Sequence, residues 1–165
     1  MLRTILFSII VTILFLTACQ SPPSQESNST ITPEETQIAK QLIQGSFDDL
    51  WAGMDSTKIL NYHTEDFYIL ENGEVWSNQE IRNFMNKSLK NKDRAHRENK
   101  MEFLTLEKQG SAINIAYNNF ATFSQGDSIV GKAQWLESAL AIPTKDGWRL
   151  RMMHSTWVPQ KQKAE

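Results

Sequence analysis

Gly147-Trp148-Arg149-Leu150-Arg151-Met152-Met153-His154-Ser155-Thr156-Trp157-Val158 is the stretch from which the architecture is read. With a period of two, Trp148, Leu150, Met152, His154, Thr156 and Val158 share one face. Arg149, Arg151, Met153, Ser155 and Trp157 share the other. The first face is apolar until an imidazole and a hydroxyl interrupt it. A strand with that pattern packs a core along most of its length and lines a cavity at its far end. His154 and Thr156 are therefore expected to face inward.

Three long strands precede it. The first covers about residues 96–108, and its alternation breaks at Phe103-Leu104, which predicts a bulge. Gln109-Gly110-Ser111 turns the chain into a second strand over residues 112–123, with Ile113, Ile115, Tyr117, Asn119, Ala121 and Phe123 on one face. Gln125-Gly126-Asp127 turns it again, and a third strand fills residues 129–142. Four such strands in sequence form an antiparallel meander.

Helices come before the meander. Thr32-Pro33-Glu34-Glu35 is a capping box with proline at the first helical position. Ile38, Leu42, Ile43, Phe47, Leu50, Trp51 and Met54 then form one apolar stripe, and Gly53 and Asp55 end it. A short helix follows through Ile59, Leu60 and Tyr62. His63-Thr64-Glu65-Asp66 reads as a polar turn, and residues 67–71 as a strand. Asn72-Gly73 predicts a type I′ hairpin, because both central positions need positive φ. Ser77-Asn78-Gln79-Glu80 is a second capping box, opening a helix that buries Ile81, Phe84, Met85 and Leu89. Helices gathered at the start against one curved antiparallel sheet make the domain α+β.

The chain of 165 residues with 40% hydrophobic content suits one such domain, over residues 33–158, with a short tail at 159–165. Its net charge of −2 gives no whole-protein attraction to nucleic acid.

Residues 1–18 stand apart. Arg3 precedes an apolar run over residues 5–16, short for a membrane span and suited to a secretory signal. The run ends in Leu16-Thr17-Ala18-Cys19, and Cys19 is the only cysteine. This tetrapeptide resembles the lipobox of bacterial lipoproteins, which implies acylation of Cys19 and cleavage before it. The alternative is an ordinary signal peptide with an incidental thiol. Residues 19–32, including the polar QSPPSQESNSTI segment, read as a flexible tether. Gln20 after the cysteine resembles the Gram-negative pattern for outer-membrane sorting. The expected partner at this end is the lipid bilayer, through acylated Cys19.

Across residues 33–158 the chain resembles the nuclear transport factor 2-like superfamily, in its SnoaL-like branch. The resemblance rests on the long first helix, the Tyr62-to-Asp66 turn, Asn72-Gly73, the Ser77-to-Glu80 helix start, and Asp146-Gly147-Trp148-Arg149-Leu150 with His154 and Thr156. It implies a cone, in which a bent sheet wraps the long helix and leaves a pocket at the wide end. It also implies homodimers through the outer sheet face.

That superfamily hosts enzymes and non-enzymes, so chemistry has to be argued from residues. His154, on its otherwise apolar face, is the first catalytic candidate, with Glu137 or Asp66 as the carboxylate; the alternative is a hydrogen-bonded core histidine. Asp66 could equally cap backbone in its turn, and Glu137 could equally lie on a wet surface. Glu71 lies near the place where the fold's steroid isomerases carry their base, but beside Asn72-Gly73 it reads as a solvent-facing hairpin residue. Phe47 stands about where those isomerases place a tyrosine, which argues against their chemistry. Tyr62, His63, Tyr117, Trp135, Thr156 and Trp157 are the candidate ligand contacts, for an apolar small molecule. Three histidines without metal-site spacing argue against a metal. No phosphate loop or nucleophile elbow calls for a cofactor. Lys87, Lys90, Lys92, Arg94, Arg97 and Lys100 read as a solvated helix end. The leading reading is a lipid-anchored binding module without catalysis; a small lyase or isomerase acting on an apolar carbonyl substrate is the alternative.

Overall fold

The computed structural model describes residues 30–159. The signal segment, Cys19, most of the tether and most of the C-terminal tail lie outside the described residues.

Helix α1, Pro33–Ser46, begins as its sequence dictates: the Thr32 hydroxyl accepts from the Glu35 amide, and the Glu35 carboxylate accepts from the Thr32 amide. Glu35 also accepts from Lys108 at 2.6 Å, tying the helix start to the sheet. The helix then widens into a π-helical turn, Phe47–Ala52. It stops at Gly53, where a Cβ would lie 2.7 Å from the Asp49 carbonyl oxygen. Met54 follows in the left-handed region at φ 56°, and the Asp55 amide donates to the Asp49 carbonyl at 3.0 Å.

A 3-10 turn (Ser56–Lys58) and the single-turn helix α2 (Ile59–Tyr62) lead into the hairpin of β1 (His63–Glu71) and β2 (Glu74–Ser77). Asn72 and Gly73 have φ of 48° and 89°, as a type I′ turn requires. Helix α3, Asn78–Ser88, carries the second capping box. The strands β3 (His96–Gln109), β4 (Ala112–Gln125), β5 (Ser128–Thr144) and β6 (Gly147–Trp157) complete the chain.

The six strands form one sheet in the order β2-β1-β6-β5-β4-β3. All neighbours are antiparallel except β1 and β6, which run parallel, so the sheet is mixed rather than wholly antiparallel. The residues expected to be a polar turn, His63 to Asp66, are already the irregular beginning of β1, with His63 opposite Leu150. The concave face packs on α1 and the π turn. Ala39, Leu42, Ile43, Phe47 and Leu50 meet Ile113, Ile115, Ala139, Ala141, Leu150 and Met153 in one core. Each large side chain so buried contributes about 1.5–3 kcal/mol.

Three strands each carry one extra residue: Leu104 in β3, Val130 in β5 and Arg151 in β6. The first lies where the broken alternation predicts it. The third corrects the reading of the closing strand. Leu140 faces Met152 while Ala141 faces Leu150, leaving Arg151 unpaired. Beyond that point the alternation inverts. Met153 and Ser155 are buried, whereas His154 and Thr156 are exposed on the convex side.

Gly53→Ala tests the π turn. Alanine normally gains about 1 kcal/mol over glycine in a helix. Here its Cβ would collide with backbone, and a net loss of roughly 1–3 kcal/mol is expected in urea denaturation. An unchanged midpoint would show that the turn has room to relax.

Candidate functional site

Ladder pairing delivers one row of side chains across the concave face. Glu71 lies opposite Ser155, Ser155 opposite Glu137, and Glu137 opposite Tyr117, so the row crosses β1, β6, β5 and β4. Beside it opens a cavity of about 420 Å³. Glu71, Ser155, Glu137 and Arg97 give it polar lining. Phe47 and Trp51 from the π turn, Trp76 from β2, Phe84 from α3 and Trp135 from β5 give it aromatic walls. The π turn places Phe47 and Trp51 in mutual contact, with ring centroids 6.2 Å apart.

Glu137 is only 7% exposed. Its Oε2 accepts from the Asn119 amide at 3.0 Å, and its Oε1 accepts from the Ser155 hydroxyl at 3.0 Å. Asn119 in turn accepts from Asn99 at 2.6 Å, and Asn99 accepts from the Arg97 Nε at 2.9 Å. A guanidinium can only donate, so the direction of this chain is fixed from Arg97 to Glu137. Burial pushes the Glu137 carboxyl up to about 7, against the hydrogen bonds of Ser155 and Asn119 and the charge of Arg97. Such a group is poised to exchange a proton at neutral pH.

Arg97 points into the aromatic cluster rather than into solvent. Its guanidinium carbon lies 5.0 Å from the Trp135 ring centroid and 5.8 Å from those of Phe47 and Phe123. Burial lowers its pKa, while the charges of Glu137 and Glu71 act the other way. Glu71 accepts from the Asn72 amide at 2.6 Å. Burial raises its carboxyl as well, opposed by Ser155 and Arg97.

Of the candidates read from the sequence, Glu137 and Trp135 line this cavity. His154 does not: it sits on the convex side beside Leu104, Leu136 and Thr156. The bulge at Arg151 puts it there, on the opposite face of the sheet from the buried Glu137 carboxyl. Asp66 is exposed and pairs with Arg151 at 2.8 Å, away from the cavity. His63 is buried, stacks on Phe67 with centroids 3.7 Å apart, and meets Asn78 through Nδ1 at 3.0 Å. Burial lowers its pKa to about 4. Tyr62 donates to Asp49 at 2.5 Å, outside the cavity. Tyr117 is fully buried against Phe47 and Phe103, its hydroxyl beside Glu137 without a hydrogen bond of regular geometry. Thr156 and Trp157 are exposed, Trp157 across the ladder from Trp135.

Two residues set aside on sequence grounds belong to the site. Glu71 is half-buried rather than wholly solvent-facing, because the parallel pairing with β6 places it opposite Ser155. Arg97 is no part of a solvated helix end, because it starts β3 on the concave side. Asn99 and Asn119, both buried, were the available signal: amides at inward positions of apolar faces need a polar partner nearby.

Solved structures of similar shape are numerous. Aln2 from a Streptomyces species superposes with a TM-score of 0.67 at 12% identity, over 78% of this chain and 94% of that one. The hub homology domain of a CamKII from Chlamydamonas reinhardtii gives 0.65 at 15% identity, over 75% and 98%. A ketosteroid isomerase-like protein from Erwinia carotovora atroseptica gives 0.58 at 12% identity, over 78% and 100%. The fold is thus the nuclear transport factor 2-like, SnoaL-like cone. At these identities the likeness is one of fold. No family model and no curated protein matches the sequence.

Two buried groups give opposing pH dependence. Glu137, raised from 4.5 to about 7, favours the fold when protonated, so its contribution is lost as pH rises through that window. His63, lowered from 6.5 to about 4, favours the fold when neutral, so its contribution is lost as pH falls through that window. Glu137→Gln keeps an acceptor for Asn119 and offers a donor to Ser155. It should leave stability near pH 4.5 unchanged and raise it by roughly 2–3 kcal/mol at pH 8. The His63 slope, unmasked, should then appear between pH 4 and 6.5 in thermal melts. A variant with the parent's pH profile would contradict both assignments.

Proposed function

We propose that the protein is a lipid-anchored module of a bacterial envelope that binds a small amphipathic molecule in its concave cavity. The observation that carries this reading is the cavity: about 420 Å³, with aromatic walls and a carboxyl that titrates near neutrality. That volume lies in the range of small-molecule sites, and a few convergent polar groups in an apolar wall are what orient a ligand. Anchoring is supported by the sequence of residues 1–19 and by the polar tether after it. Among the described residues no helix is long and apolar enough to cross a membrane. A lipid on Cys19 would supply the attachment, at the outer membrane if Gln20 acts as its resemblance implies.

A second reading is favoured by one observation. A carboxyl with a pKa of about 7 at the end of a directed amide chain suits a general acid–base in a lyase or isomerase of apolar carbonyl compounds. In that reading Glu137 moves the proton, and Ser155 and Asn119 orient it. Self-association through the convex face is supported by the exposed Leu104 and Leu136 beside His154.

Cys19→Ser should move the protein from the membrane to the soluble fraction; unchanged fractionation would refute the anchor. Native mass spectrometry of the purified protein should show a dimer carrying a bound small molecule. A ligand-free protein whose melting point no small amphiphile raises would remove the binding reading, and a monomer would remove self-association.

A further inference from the structure

We propose, resting on the reading of the cavity as a binding site, that its ligand is an organic cation: a protonated or quaternary amine carrying an aryl or alkyl group. Three carboxyls line the cavity, those of Glu71, Glu74 and Glu137. Among the described residues none of them forms an ion pair; the four ion pairs lie elsewhere, at Asp49, Glu102, Glu35 and Asp66. Their oxygens accept instead from neutral donors: Asn72 to Glu71, the Trp76 indole to Glu74, Asn119 and Ser155 to Glu137. Neutral donors hold a carboxylate in place without cancelling its charge. Glu137 is buried and Glu71 half-buried, while Glu74 is exposed at the start of β2; a buried carboxylate held in that way gains when an opposite charge joins it.

The one cation lining the cavity among the described residues, Arg97, forms no ion pair with these carboxyls and acts on Glu137 and Glu71 only from a distance. Its Nε is committed to Asn99, and its plane is packed among Phe47, Phe123 and Trp135. The remaining walls, Trp51, Trp76 and Phe84, are aromatic, and ring faces attract cations as carboxylates do. An anionic ligand would enter against three carboxyls with one guanidinium in its favour. Trp51, only 8% exposed, contributes its ring to the aromatic wall.

The test uses purified full-length protein and isothermal titration with 2-phenylethylamine, benzyltrimethylammonium, 2-phenylethanol and 3-phenylpropionate. The two cations should bind at least tenfold more tightly than the alcohol, and the carboxylate should bind weakest. The fixed charge of benzyltrimethylammonium makes pH a clean probe: its affinity should rise severalfold from pH 5.5 to 8 as Glu137, facing Arg97, Glu71 and Tyr117, loses its proton. Glu137→Gln should cut the amine-to-alcohol preference about tenfold, and Glu71→Gln should cut it as well. If the alcohol or the carboxylate binds best, the cation class is overturned and the binding site stands. If none of the four binds the folded protein, both fall.

Discussion

A sheet can enclose one helix only if it bends, and this sheet bends where single residues are inserted into its ladders. Leu104, Val130 and Arg151 each break the pairing of a strand once. An inserted residue increases local twist and inverts which side chains face inward beyond it. The insertion at Arg151 is therefore the decision on which everything at the wide end rests. It puts Ser155 between Glu71 and Glu137 and sends His154 to the convex side. The core below it and the cavity beyond it are two registers of one strand.

The cavity's electrostatics follow from that geometry. Glu137 is held by an amide and a hydroxyl in a place where water screens it little, so burial outweighs its hydrogen bonds and its carboxyl rises to about 7. Arg97 stands at the far end of the asparagine chain, and its positive charge reaches Glu137 without a direct ion pair. Aromatic rings around the guanidinium stabilise it where a carboxylate would otherwise be needed. The π turn contributes two of the walls, and Gly53 lets that turn end against its own carbonyls.

Local chemistry made much of the fold legible. The two capping boxes, the Asn72-Gly73 turn and the meander of long strands depend on residues a few positions apart, and the structure contains each of them. The bulge at Phe103-Leu104 was legible because it breaks the alternation of its own strand. That at Arg151 was not, because the closing strand alternates plausibly in either register, and its choice depends on β5. For the same reason Glu71 looked solvated until its parallel partner β6 was known, and Arg97 looked like one of several surface cations. The site is assembled by contacts between distant strands, which no window of neighbouring residues contains. Glu137 and Trp135 were the exceptions, since a carboxylate and an indole on one strand face are visible locally.

The asparagine chain also decides where a proton can sit. Arg97 can only donate, so Asn99 and Asn119 cannot reverse, and the Glu137 oxygen facing Asn119 always receives an N–H. When Glu137 takes up a proton, the oxygen facing Ser155 is the one that can carry it and leave the Asn119 bond to the better acceptor. A hydroxyl, unlike an amide locked in a chain, can swap from donor to acceptor by rotating about one bond. Ser155 lies across the ladder from Glu71 on its other side. Two acids thus meet at one rotor, and the turning of a single serine hydroxyl sets which of them it serves.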